Sequence, residues 1–447
     1  VRDGRDVRCL RVTVPLRHGQ SGGATIEVGV SVLAAERDTG RRPLVVLPGG
    51  PGEAIAGLAP LIASPKNRSV FTRLLRTRDL VLVDQRGAGL SRPALTCGPE
   101  QAELVPALAS ATDDATISRL TVAAYSGCGE RLRRAVDLRA FTTEAVARDL
   151  QLVVGALRLS RADVFATSYG TKVALAAARQ RGGWIGRLLL SSAVAPGSNF
   201  IADASRSFTR ALRATFAACA EARRCAAANP DLDARLESAI TGLETTPLPI
   251  PPSGRSPGGT LTAWTASSVL FSLYYVPGGF GAVPRVVDLL ARRDPRLAAA
   301  GGGEGGALEG LARGQQYAIL CQEELGRTDP EALLRAAAQL PAVARVQAQY
   351  DVTVGAPAPT VCAGYGVRPV TEPAARLGSI GAPALVVSGA FDQITPPAYG
   401  AAVARGLRDA RHVVLASGHS PVATAGPCGA QVAESFLDGR RLPRCAR

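Results

Sequence analysis

Ser168 lies in Ala166-Thr167-Ser168-Tyr169-Gly170, between two stretches of different character. The run Ala162-Asp163-Val164-Phe165-Ala166 predicts a short buried strand, and the Ala- and Leu-rich stretch from Tyr169 to Arg179 predicts a helix. A serine hydroxyl is a weak nucleophile until a base takes its proton. A sharp strand-to-helix turn lifts such a side chain clear of the sheet. It also points the helix N-terminus and the Tyr169 N–H at the place where an oxyanion would form. The pattern departs by one methyl, at Ala166, from the G-x-S-x-G form of a nucleophile elbow.

The chain has three histidines, His18, His412 and His419, so the choice of base is narrow. His419 sits in Ala416-Ser417-Gly418-His419-Ser420, just past a predicted strand at His412–Leu415. That is the C-terminal strand edge, where sites in open α/β sheets collect. His412 opens the same strand at its other end, and His18 falls in an N-terminal turn. Asp392 follows a predicted strand at Ala384–Ser388, within Phe391-Asp392-Gln393-Ile394-Thr395-Pro396. A carboxylate there can accept the histidine Nδ1–H, fix the tautomer and stabilise the imidazolium. Catalytic Ser168, Asp392 and His419 therefore follow the order nucleophile, acid, base. Pro48-Gly49-Gly50-Pro51-Gly52 offers close backbone approach, and Gly50 N–H is the expected second oxyanion donor beside Tyr169. Asp84-Gln85-Arg86-Gly87 is read as shaping the neighbouring turn through Asp84 and Arg86. Such chemistry calls for no metal and no organic cofactor.

The elements that must hold these residues read as α/β. Arg8–Leu16 and Thr25–Ala34 predict an antiparallel opening pair. Leu44–Leu47, Leu80–Val83 and Arg187–Leu190 predict short buried strands, and Thr143–Leu157 has helical spacing. The alternation argues for a mostly parallel sheet flanked by helices. From Asn199 to Leu377 the chain reads as helices with Pro- and Gly-rich joints, flexible by composition at Pro247–Gly259 and Gly301–Gly306. This predicts a core from residues 1–198 and 378–447 with an inserted helical cap, 199–377. The insertion accounts for the long separation of Ser168 from Asp392.

The net charge of +14 is almost all arginine, since Lys66 and Lys172 are the only lysines. It is scattered, and aromatic content is 4%, so nothing marks a nucleic-acid surface. No apolar run is long enough for a membrane span. The nine cysteines form no C-x-x-C pair and suit disulfides in an exported protein. Neighbour pairing gives Cys97–Cys128, Cys219–Cys225, Cys321–Cys362 and Cys428–Cys445, leaving Cys9 over. With no Met and a start at Val1, the N-terminus is read as processed, its signal peptide already removed.

Taken together, Gly49-Gly50-Pro51-Gly52, Asp84-Gln85-Arg86-Gly87-Ala88-Gly89-Leu90-Ser91, Ser168-Tyr169-Gly170-Thr171, Phe391-Asp392-Gln393-Ile394-Thr395-Pro396 and Gly418-His419 resemble the α/β-hydrolase group of proline iminopeptidases and secreted actinobacterial tripeptidyl aminopeptidases. The resemblance spans the predicted catalytic domain and is loose in the cap. It departs at Pro48, where the iminopeptidase motif commonly has histidine, and at Ala166. It implies an exported serine aminopeptidase acting on peptides; the oligomeric state stays open, with a monomer favoured. The same triad could serve a carboxylic ester or lactone hydrolase, and a catalytically retired envelope binding protein is a third reading. Related aminopeptidases hold the substrate ammonium with acidic groups near the cap. In this chain that implies Glu323, with Glu53 as second candidate.

Overall fold

The computed structural model describes residues 7–445 except 65, 68, 253–257, 295, 298–310, 351–358 and 372–376. Its strands are β1 (Val7–Pro15), β2 (Thr25–Leu33), β3 (Leu44–Leu47), β4 (Leu80–Val83), β5 (Ala162–Thr167), β6 (Ile185–Ser191), β7 (Leu248–Ile250), β8 (Gly259–Leu261), β9 (Ala384–Gly389) and β10 (Ala410–Leu415). Eight of them form one sheet in the order β1-β2-β4-β3-β5-β6-β9-β10. The β1–β2 and β2–β4 pairs are antiparallel, and the pairs from β4 through to β10 are parallel. β3 and β4 are buried along their whole length, which is why they read as unbroken apolar runs.

Helices cover both faces. On one side Val45, Val81, Val164 and Leu190 pack with Val146, Leu150, Val153 and Val173. On the other Val46, Leu82, Phe165 and Leu189 pack with Ile62, Leu74, Val432 and Leu437. The helix Thr143–Ala156 shows how local sequence sets this up. Thr142 caps it by accepting from Ala145 N–H, and Val146, Leu150, Val153 and Val154 recur at helical spacing on its buried face. A cap of this kind contributes about 1 kcal/mol.

The segment between β6 and β9 is mostly helical, but it is not one unit. Helices Ala204–Glu221, Leu232–Thr245, Ala263–Ser272, Val283–Ala291 and Ala342–Tyr350 share a core of Phe208, Leu212, Ile240, Leu270, Val286 and Val346. Helices Arg313–Glu323 and Pro359–Tyr365 instead join the main core through Tyr317, Ile319, Val361 and Tyr365. They pack on the helix Asp114–Ala135, which precedes β5. Helical periodicity cannot distinguish these two groups, because both bury one apolar face. Within Pro247–Gly259, expected to be a flexible joint, the flanks pair as the antiparallel hairpin β7–β8. The glycine run 301–306 lies outside the described residues.

All four neighbour-paired disulfides are present, and Cys9 is an exposed thiol. Among the described residues no helix is long and apolar enough to cross a membrane.

Candidate active site

The C-terminal ends of β3, β5, β6, β9 and β10 bring the predicted residues to one edge. At the end of β5, Ser168 has φ 54° and ψ −127°, a conformation a non-glycine residue holds only where its surroundings enforce it. Those surroundings are close. Ser168 N–H donates to Ser191 O at 2.9 Å, and its carbonyl accepts from Thr171 Oγ1 at 2.6 Å. Thr171 Oγ1 in turn accepts from Val194 N–H at 3.0 Å. A Cβ on Gly170 would lie 2.5 Å from Pro48 O, so only glycine lets the helix start this near the loop after β3. Ala166 is fully buried and paired with Leu47 and Leu190; its methyl packs within the sheet core, and the elbow forms around it.

His419 and Asp392 meet as the sequence order predicts. His419 Nδ1 lies 3.0 Å from both oxygens of Asp392. Asp392 Oδ1 accepts from the N–H groups of Ile394 (3.0 Å) and Thr395 (2.8 Å), and Oδ2 from the hydroxyls of Thr395 (2.8 Å) and Ser192 (2.6 Å). Burial pushes this carboxyl upward. The charge and hydrogen bond of His419, the Ser192 hydroxyl and the Thr395 N–H outweigh it, and the group is held below the ordinary carboxylate range. His412, at the other end of β10, bonds Ser388 Oγ at 2.9 Å, away from this pair.

The inserted segment reaches into both loops. Arg210, on helix Ala204–Glu221, donates to the carbonyls of Ala390 (2.9 Å) and Asp392 (2.6 Å). Tyr274 O accepts His419 N–H at 2.7 Å, and the Tyr275 ring meets the imidazole edge-on at 5.0 Å. Gly418 is glycine for a steric reason: a Cβ there would sit 2.1 Å from Tyr274 O.

The glycine loop is organised by Gln85. Its Oε1 accepts Gly52 N–H at 3.2 Å and its Nε2 donates to Gly49 O at 2.7 Å. Asp84 shapes the adjoining turn by accepting from Ile55, Ala56 and Leu90 N–H groups, while Arg86 is buried against Asp149 and the carbonyls of Leu16 and Ala140. Gly49 N–H is spent on Glu53 Oε2 at 2.6 Å. Gly50 N–H takes no protein acceptor among the described residues.

The two acidic candidates part company. Glu53 is exposed and lies beside the nucleophile. A Cβ on Gly49 would be 2.9 Å from Glu53 Oε2 and 3.0 Å from Ser168 Cβ, so those two atoms are no more than about 6 Å apart. Its backbone is fixed by a bridge to Leu311. Glu323 is corrected by the structure. It is 3% exposed, and its oxygens accept Thr143 N–H (2.6 Å) and Thr143 Oγ1 (2.5 Å), with Lys172 Nζ at 3.6 Å. It satisfies the start of helix Thr143–Ala156, a structural task that an acidic helix end does not reveal in sequence.

Sequence reasoning passed over Ser192, Thr395 and Arg210. Thr395 lay within a quoted motif, and Ser192 directly follows a strand at the site edge, a positional signal. Arg210 is one arginine on an amphipathic helix and gives none.

A family model described as alpha/beta hydrolase fold matches residues 42–227, and one described as TAP-like protein matches residues 349–446. The chain is 41% identical over 99 residues to carboxylesterase B of Mycobacterium tuberculosis, covering 21% of this chain and 17% of that protein. It is 29% identical over 175 residues to the tripeptidyl aminopeptidase of Streptomyces lividans, covering 37% of this chain and 32% of that protein. The chain thus spans at most about a third of the length of these curated relatives. The structure of a thermophilic esterase from Thermogutta terrifontis aligns with a TM-score of 0.42 at 14% identity, over 97% of this chain and 98% of that one.

Proposed function

This chain is an α/β-hydrolase of the TAP-like group, and on that premise we propose that it is an exported serine aminopeptidase working through Ser168, His419 and Asp392. Ser168 Oγ attacks the scissile carbonyl while His419 takes its proton. The tetrahedral oxyanion is held by the N–H groups of Gly50 and Tyr169. His419 then gives the proton to the leaving amine, and an acyl-enzyme on Ser168 remains. Water, activated by His419, hydrolyses it. Asp392, acting only through His419, holds the imidazole tautomer and steadies the imidazolium.

The observation that carries the peptidase reading is Glu53. A carboxylate within about 6 Å of the nucleophile's Cβ disfavours an oxyanion unless something neutralises it. A substrate ammonium does so and gains a charge-assisted hydrogen bond. Such a bond is worth roughly 1.5–3 kcal/mol, or about 10- to 150-fold in kcat/KM. Because Glu53 is exposed, the lower end of that range is expected. The segment between β6 and β9 acts as a cap over this edge, bringing Tyr275 to His419. Its contacts with the acid and base loops support a fixed cap.

The test compares kcat/KM for peptides with free and acetylated N-termini, with a small neutral ester as control. Free peptides are expected to be cleaved about 10-fold faster, and Glu53→Gln should erase the preference while leaving ester turnover in place. Equal cleavage of both peptides by the unaltered chain rejects the aminopeptidase reading. It would leave the ester hydrolase, the reading favoured by the 41% identical segment shared with carboxylesterase B.

A further inference from the structure

β6 ends at Ser191, and the next residue carries more of the site than its type announces. Ser192 is fully buried, and its φ of 53° is in the left-handed region that side-chain-bearing residues seldom occupy. Its N–H donates to Val387 O on β9 at 2.8 Å, so the strained backbone is registered against the neighbouring strand. Its Oγ meets two partners: Asp392 Oδ2 at 2.6 Å and Ser420 N–H at 2.9 Å. A backbone N–H can only donate, so Oγ must accept from Ser420. The hydroxyl proton is then committed to the carboxylate, and the group cannot turn round. One oxygen therefore joins the loop carrying the acid to the loop carrying the base.

The residue before it serves the third member. Ser191 O accepts Ser168 N–H at 2.9 Å, and Ser191 Oγ accepts Val422 N–H at 3.4 Å. The end of β6 thus touches the nucleophile turn, the acid loop and the base loop. It contributes no group that could attack, protonate or deprotonate a substrate.

We propose that Ser192 is a positioning residue for the Asp392–His419 pair, holding the carboxylate anionic and in register with the base loop through one hydroxyl. The proposal rests on the triad reading given above. The charged groups facing Asp392 among the described residues are His419, from the loop after β10, and Arg210, whose guanidinium lies on the carbonyls of Ala390 and Asp392. Thr395 supplies the other hydroxyl to Oδ2. Without Ser192 Oγ, a fully buried carboxylate keeps its histidine but loses a compensating donor. The carboxylate then interacts more strongly with the imidazole it holds, and the acid limb of the rate profile, which reports the coupled pair, moves upward.

Two substitutions separate the hydroxyl from the backbone. Ser192→Ala removes the hydroxyl and keeps a side chain in the left-handed conformation. Ser192→Gly removes the hydroxyl and relieves the backbone, so it should fold at least as well. Both are measured in the full chain on p-nitrophenyl acetate across pH 5 to 9, beside Ser168→Ala. The expected result is a fall in kcat of about 10- to 100-fold in both variants, the scale of one lost charge-assisted hydrogen bond, with KM within about twofold. The acid limb of kcat/KM should also move to higher pH. Loss in Ser192→Ala with full recovery in Ser192→Gly overturns the proposal, because the backbone alone would then matter. So does a loss uniform in pH with an unmoved acid limb. Inactive Ser168→Ala beside both Ser192 variants at full rate overturns Ser192 alone. Turnover retained in Ser168→Ala overturns the triad, and this inference with it.

Discussion

At residue scale, the site rests on the Asp392–His419 pair and on Ser168 at the elbow. Ser168→Ala removes the hydroxyl at the strand-to-helix elbow and should abolish hydrolysis with the fold intact, checked by turnover beside circular dichroism. His419→Ala should be equally inactive. His412→Ala should keep most activity, because that ring bonds Ser388 and not Asp392. Comparable loss at both histidines would remove the assignment of the base. Asp392 also predicts a pH effect. Its carboxyl is held below its unfolded value, so its stabilisation is present above the ordinary carboxylate range and is lost as pH falls through the depressed folded value. The Tm of the unaltered chain should therefore fall more steeply below about pH 4 than that of Asp392→Asn. Parallel curves would show that this carboxylate contributes nothing to acid sensitivity.

At the scale of elements, the helices between β6 and β9 are tied to the chemistry by backbone contacts. Arg210 serves two carbonyls of the acid loop. Arg210→Met should leave both without their donor inside the protein, costing about 1–3 kcal/mol in stability and lowering kcat. Chemical denaturation and ester turnover read the two effects. Gly418→Ala is the companion test from the other side. A methyl 2.1 Å from Tyr274 O must push the insertion from the base loop, so activity should drop although Asp392, His419 and Ser168 are unchanged. Wild-type turnover in Gly418→Ala would mean the insertion can move off without consequence.

At the scale of the whole molecule, four disulfides divide the chain unevenly. Cys321–Cys362 closes a 41-residue separation and Cys97–Cys128 one of 31, against 6 for Cys219–Cys225. In the chain-entropy account the longest loop outweighs the shortest by about 1.7 kcal/mol. Cys321 and Cys362 also tie helix Arg313–Glu323 to Pro359–Tyr365, both in the main core. Removing that pair by serine substitution should lower Tm more than removing Cys219–Cys225, measured by calorimetry. Intact-mass analysis after alkylation without reduction should show one accessible thiol, Cys9. Four disulfides of this kind fit an oxidising compartment.

The sequence by itself determined what depends on neighbours in the chain. Apolar runs and helical spacing marked β3, β4, β5 and the helix Thr143–Ala156. The elbow was legible less from the A-x-S-x-G match itself than from the strand, helix, acid and base that surround Ser168 in order. The scarcity of histidine pointed to His419, and the order of strands placed Asp392 before it. Pairing each cysteine with its neighbour named the four disulfides that form, although spacing alone left their connectivity open. Only the tertiary structure decided what depends on approach between distant segments. Glu323 looks like Glu53 as a letter, but one is enclosed by Thr143 and the other stands in the open beside Ser168. Helices within 199–377 read alike, yet two of them complete the main core and five share their own. Ser192 and Arg210 act through hydrogen bonds to residues 200 and 182 positions away. Periodicity and motif report the local backbone and the face it buries. They do not report which polar atom across the fold a buried side chain is obliged to satisfy.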